Sequence, residues 1–190
     1  MKKIILLLIC FLVCMVACQN KKENGIFPKV CKNYTKVKDG DTIGGDKYNN
    51  CIEVVPNSTI TIESDLRFFS GTDFRIHEGV TIKVNSYGSN SIEINKGAQI
   101  HAIGSKENPI VFTSDKEPGK RSFGNWGGII INGSARNNAG TPDYIVKVGE
   151  GDTGPWGGDN NSDSSGILKY VRIEFAGSMM NGAYGYDTLT

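Results

Sequence analysis

Apolar and polar residues alternate in short runs along most of this chain. Thr59-Ile60-Thr61-Ile62, Val80-Thr81-Ile82-Lys83-Val84, Ile92-Glu93-Ile94 and Ala98-Gln99-Ile100-His101-Ala102 all keep a period of two. That period is the signature of a β-strand with one buried face. The runs are too closely spaced to leave room for helices between them. Glycines recur between them at Gly79 and Gly97, where a tight corner needs a residue that accepts positive φ.

A longer regularity lies over the short one. Ile76, Ile94, Phe112, Ile130 and Val148 follow one another at a step of eighteen, as do Val80 and Ala98, and Ile82 and Ile100. A fixed step of this size marks a repeated unit that cannot bury its own apolar face and is covered by its neighbours. The expectation is an all-β, right-handed parallel β-helix with about 18 residues per coil. The five residues from Ile76 to Val148 should then stack as one internal column, and residues 58–177 should supply about six coils.

Two stretches break the step. Lys116–Asn125 is a charged loop, and Gly149–Gly166 is a longer one rich in Gly, Asp and Asn. Solenoids carry such insertions on their sides, where binding surfaces are built. Residues 31–58, with short strands expected at Tyr34–Val37 and Cys51–Val54 around a turn at Asp39–Asp46, read as an N-terminal cap. The domain reading is therefore a leader at 1–17, a tether at 18–30, a cap at 31–58 and the β-helix at 59–190. Gly182–Thr190 shows no polar cap, so a helix truncated at its C-terminal end is expected.

The leader changes the picture most. Lys2 and Lys3 precede an uncharged apolar run from Ile4 to Val16, too short for an ordinary membrane span, so it reads as a secretory signal. The run ends in Met15-Val16-Ala17-Cys18, followed by polar residues. This resembles the lipobox of bacterial lipoproteins, which implies lipidation of Cys18 (palmitate among the acyl chains) and anchorage in the cell envelope, at the outer membrane. Each buried methylene adds about 0.8 kcal/mol, so several chains make a lasting anchor. No later segment is apolar enough to cross a bilayer. Of five cysteines, Cys31 and Cys51 remain beyond the leader and the lipid site, and in an oxidising compartment they are candidates for a disulfide.

Without Lys2 and Lys3 the chain holds 19 basic and 20 acidic residues. Nucleic-acid binders carry a basic excess, so no nucleic-acid partner is expected. Asp159, Asn161 and Asp163 sit at alternate positions like the start of a calcium loop, but Ser164 and Tyr170 stand where an EF-hand needs Gly and Glu. A looser calcium site with Glu150 and Asp152 is the one cofactor candidate, and otherwise none is implied. His77 and His101 alternate with apolar residues and are expected as surface histidines. Trp126, against Gly127 and Gly128, is expected to pack at a corner; Trp156 is the candidate for stacking on a sugar ring. The charged loop residues Asp115, Lys120 and Arg121 make no recognisable catalytic motif, so enzyme activity is not the favoured reading.

Three stretches together resemble a known group: Asn108–Ser114, Trp126–Gly133 and Leu168–Gly177. Their order and spacing are similar to those of secreted or lipid-anchored right-handed β-helix proteins of Gram-negative bacteria, within the wider pectin-lyase-like superfamily. The resemblance implies fold and envelope location but no reaction. The expected role is a binding or structural surface module for polysaccharide or host macromolecules, with a polysaccharide lyase or hydrolase, or a relic of one, as the alternative.

Overall fold

A computed structural model describes residues 30–48, 50–138, 147–148, 151–152, 154–177, 179–180 and 184–185. The leader, Cys18, the tether up to residue 29, Glu150 and residues 186–190 lie outside them.

Five parallel strands form one wall, here face 1, in the order β1(Thr35–Val37), β3(Ile52–Val54), β5(Asp73–Ile76), β8(Gln99–Ile103), β13(Gly166–Lys169). Face 2 stacks β2(Thr42–Tyr48), the first half of β4(Thr59–Phe68), β6(Thr81–Val84), β9(Ile110–Ser114) and β14(Val171–Ile173). Face 3 is built from the end of β2, in register with Leu66 and Phe68, the second half of β4, then β7(Ser91–Ile94) and β10(Gly128–Ile131). Each turn of chain visits the faces in this order and is covered by the next turn. This is the parallel β-helix that the alternating runs predict, and its strands form three walls. Two short antiparallel pairs stand apart from it: β11(Lys147–Val148) with β12(Gly151–Asp152), and β15(Met179–Met180) with β16(Tyr184–Gly185).

Inside, like positions stack in columns: Ile52–Phe74–Ile100, Val54–Ile76–Ala102–Leu168, Ile60–Ile82–Phe112–Ile173, Leu66–Ile92–Ile129 and Phe68–Ile94–Ile131. Nearly all of these side chains are buried, and burying one such side chain contributes roughly 1.5–3 kcal/mol. Phe68 and Phe74 stack across the corner between faces 3 and 1, ring centres 4.7 Å apart.

The eighteen-residue column is not among them. Ile76 lies on face 1, Ile94 on face 3 and Phe112 on face 2; Ile130 is in register with Glu93 on the outer side of face 3, and Val148 belongs to the β11–β12 pair. Successive rungs of face 1 begin at Thr35, Ile52, Phe74, Ile100 and Gly166, so they take 17, 22, 26 and 66 residues by difference. A step of eighteen carries the chain two faces onward instead of one full turn. It still lands on inward positions from Ile76 to Phe112, because corners of similar make recur. Glu78-Gly79-Val80 and Lys96-Gly97-Ala98 are two such corners, with Gly79 at φ 72° and Gly97 at φ 77°, one entering face 2 and the other entering face 1.

Residues 31–58 are also more than a cap. They supply β1, β2 and β3, which join the same walls as the later strands, and β2 occupies much of the stretch expected as a turn. The jump to 66 residues in the last rung comes from loops at two places. Residues 115–127 bulge between β9 and β10, and the long connection after β10 returns as a strap, residues 154–165, before β13.

Candidate functional site

Outward side chains of face 1 form a polar ladder. Lys36, Glu53, Arg75 and His101 are in register on β1, β3, β5 and β8. Asp73, fully buried, accepts from the Tyr34 hydroxyl at 2.6 Å and lies 2.7 Å from His101 Nδ1. Arg75 donates to the Tyr34 hydroxyl at 2.7 Å, and its guanidinium lies 4.1 Å from the Tyr34 ring centre. Beside this group Glu53 pairs with Lys36 and, at 2.6 Å, with His77 Nε2. Burial, the hydrogen bond to Asp73 and the Asp73 charge push the Tyr34 phenol up to about 12, so it stays a donor. Burial alone would raise the Glu53 carboxyl, but hydrogen bonds from Lys36 and His77 outweigh it and hold the group below its ordinary value.

The two histidines thus differ from the expectation of free surface residues. His101 is buried and His77 half-buried. The alternation gave their direction correctly. The segment carrying Cys31 and Tyr34 lies over Asp73 on this face and removes it from solvent. Cys31 and Cys51 are joined as a disulfide with Cα atoms 6.4 Å apart, and the Asp73 amide points at Cys51 Sγ at 3.2 Å. Every ionic group named on this face has a partner within the face, which is the arrangement of a clamp. No group of three or more metal-type ligands occurs among the described residues.

Face 3 is covered by the strap. Glu93, buried, meets Arg67 Nε at 3.0 Å, Asn132 Nδ2 at 3.1 Å and the Gly154 amide. A side chain at position 154 would collide with the Asn95 amide oxygen, so glycine allows the strap to lie flat here. Further along, the Ser134 amide donates to Asp163 at 2.8 Å and the Arg136 amide to Asn161 at 3.2 Å. These two members of the expected calcium loop hold the turn after β10. Asp159 is exposed, and of Asp152 only the backbone is described. Trp156 is half-buried in the strap. Trp126 is wholly buried at a corner, its Nε1 donating to the Glu174 carbonyl at 2.8 Å.

The corner between faces 2 and 3 is different. Loop 85–90 and loop 115–127 are its successive rungs, and each presents an aromatic ring: Tyr87 is 89% exposed and Phe123 69%. Both loops are braced. The Ser86 amide donates to Asp115 at 3.0 Å, joining them; Asn90 Nδ2 donates to the Asn85 and Tyr87 carbonyls. The Gly127 amide donates to the Asn90 carbonyl at 2.7 Å, and Arg121 Nε donates to the Lys116 carbonyl at 2.6 Å. Lys116 and Lys120 are exposed in the same loop as Phe123, and Arg121 is half-buried with Nη1 3.4 Å from Thr113 Oγ1. Sequence reasoning singled out this loop's charges but missed both rings. Their signal was local: a large aromatic set between polar and glycine neighbours, as in Ser86-Tyr87-Gly88 and Ser122-Phe123-Gly124.

A family model described as a pectate-lyase-like β-helix domain matches residues 46–190. The chain belongs to that family. Membership in the pectate-lyase-like β-helix family by itself does not specify a reaction. No curated protein and no solved structure matches the chain.

Proposed function

We propose that this β-helix is a lipid-anchored surface module of the cell envelope, held at the outer membrane through Cys18, that binds glycans at the corner between faces 2 and 3. The observation that carries the binding role is the pair of exposed rings, Tyr87 and Phe123, on adjacent braced loops. Aromatic faces pack well against the C–H faces of sugar rings, and rigid loops lower the entropy cost of binding. Lys116, Lys120 and Arg121, in the loop that carries Phe123, supply hydrogen-bond donors for hydroxyl or acidic groups. The anchor reading is supported by the leader and its Ala17-Cys18 junction.

A binding module fits better than a lyase or hydrolase. The face 1 ladder has the acid, base and cation types that sugar chemistry uses, but Asp73 and His101 are buried and engaged with Tyr34, Arg75 and one another. A glycan array followed by calorimetry tests the reading. Saturable binding that weakens roughly tenfold in each of Tyr87→Ala and Phe123→Ala supports it. Release of new reducing or unsaturated chain ends, unaffected by those substitutions, would favour the enzyme.

A further inference from the structure

The aromatic corner continues onto the next rung. After β14 the chain turns at the same face 2–face 3 corner through residues 174–177, and this turn lies against the loop that carries Phe123. The Gly124 amide donates to the Ala176 carbonyl at 3.1 Å, and the Asn125 amide to the Phe175 carbonyl at 3.0 Å. Ala176 belongs to the core cluster; Phe175 is half-buried and lies outside that cluster. Its φ is 60°. A left-handed backbone is uncommon for a bulky side chain and costs stability, because the Cβ crowds the following carbonyl oxygen. Glycine fits such a turn at less cost, as Gly177 does at φ 85° two residues on. The turn thus carries a large ring that neither its backbone nor the core calls for. Tyr87, Phe123 and Phe175 stand at this corner on three successive rungs.

We infer that Phe175 is the third contact of an aromatic row, and that the ligand of the row is a straight, β-1,4-linked glycan chain lying along the solenoid axis. The inference rests on the proposed glycan binding at Tyr87 and Phe123 and names the class of glycan. Rungs of a stacked parallel sheet are about 4.8 Å apart. That rise is comparable with the length of one pyranose in an extended chain, so successive rings of the protein meet successive sugars. Equatorial β-1,4 links keep such a chain straight and offer a C–H face along its length, which aromatic faces cover well. An α-1,4-linked chain coils and leaves a straight row after a short contact. Each further ring covered adds to affinity without a second cost of association, so a row favours the interior of a chain over a short piece of it.

The test is calorimetry on the full chain and on Phe175→Asn, with the disaccharides and hexasaccharides of the cello- and chito-series and with maltohexaose. Asparagine tolerates the left-handed turn, so this variant removes the ring and keeps the backbone. The row predicts that a β-1,4 hexasaccharide binds roughly tenfold more tightly than its disaccharide, and that maltohexaose gains nothing from its length. Phe175→Asn should remove the tenfold gain, leave the disaccharide unchanged and keep or raise the urea midpoint. A midpoint that falls means that the ring supports the fold, and overturns the row. Equal affinity for short and long chains, or a gain that survives Phe175→Asn, also overturns the row and leaves the two-ring site standing. Binding of neither β-1,4 series overturns the row as well, while the glycan array still judges the two-ring site. Self-association that Phe123→Ala abolishes, with no glycan bound, assigns the rings to a second copy of the chain and overturns both.

Discussion

The outer ladder of face 1 and the loops at the face 2–face 3 corner use polar chemistry in opposite ways. On face 1, Tyr34, Asp73, Arg75 and His101 meet one another beneath a segment tied down by a disulfide, and little of the group reaches solvent. At the corner, hydrogen bonds run among backbone and small polar groups, and large rings are left in water. The first arrangement ties the segment before β1 to β5 and β8, inner strands of face 1. The second leaves the fold indifferent to Tyr87 and Phe123 and so frees them for contact with something else. A residue type that resembles catalytic machinery can be structural, and an unremarkable loop can carry the surface that matters.

The strongest way to break this contrast is Asp73→Ala. Removing a fully buried carboxylate strands the Tyr34 hydroxyl, the Arg75 guanidinium and the His101 ring together, a loss expected at about 3–5 kcal/mol. Urea unfolding of the variant checks it. A loss below about 1 kcal/mol would mean that the ladder is solvated and not a clamp. Next in size is the disulfide. Cys31 and Cys51 are separated by 20 residues, and opening a loop of that length should cost about 3 kcal/mol, read as a lower urea midpoint for Cys31→Ser/Cys51→Ser than for the oxidised parent. Since the bridge holds the Tyr34 segment against face 1, the double change should also reduce the cost of Asp73→Ala when the two are combined.

A smaller effect belongs to Glu53. Its folded carboxyl titrates below the ordinary glutamate value because Lys36 and His77 bind the ionised form more strongly than burial opposes it. A depressed folded pKa means that the stabilisation is present above the unfolded value of 4.5 and lost as pH falls through the folded value. Thermal melts from pH 6 downward should therefore show an acid-side decline that is shallower in Glu53→Gln. Lys36 is half in solvent, so salt should weaken the effect further.

How much of this was legible in the chain depends on whether the cause is local. The strands, the inward side of most of them (Ile130 excepted) and the glycine corners at Gly79 and Gly97 follow from neighbouring residues, and they were readable. The rung length was not. Which strand stacks on which is decided by contacts such as Ile100 over Phe74 and Phe112 over Ile82, and a step of eighteen satisfies inward alternation on the wrong face as well as on the right one. Exposure was legible only in half. Alternation places Glu93 and His101 outward, as they are, but outward positions become buried when the strap or the Tyr34 segment returns across them. The same holds for the calcium-like run, where Asn161 and Asp163 accept from the amides of Arg136 and Ser134, partners that no spacing rule foretells.

The smallest expected change in stability is the most informative about function. Tyr87→Ala and Phe123→Ala remove rings that bury little surface, so each should leave the urea midpoint within about 0.5 kcal/mol of the parent. The loops should keep their shape, because Asn90, Asp115 and the Gly127 amide hold them without help from either ring. A pair of variants that unfold normally and yet lose saturable glycan binding would isolate the rings as contact residues. If either variant instead lost more than about 2 kcal/mol, the ring would be packing against the fold, and the contrast between a clamped face and a presenting corner would fail at the point where it is sharpest.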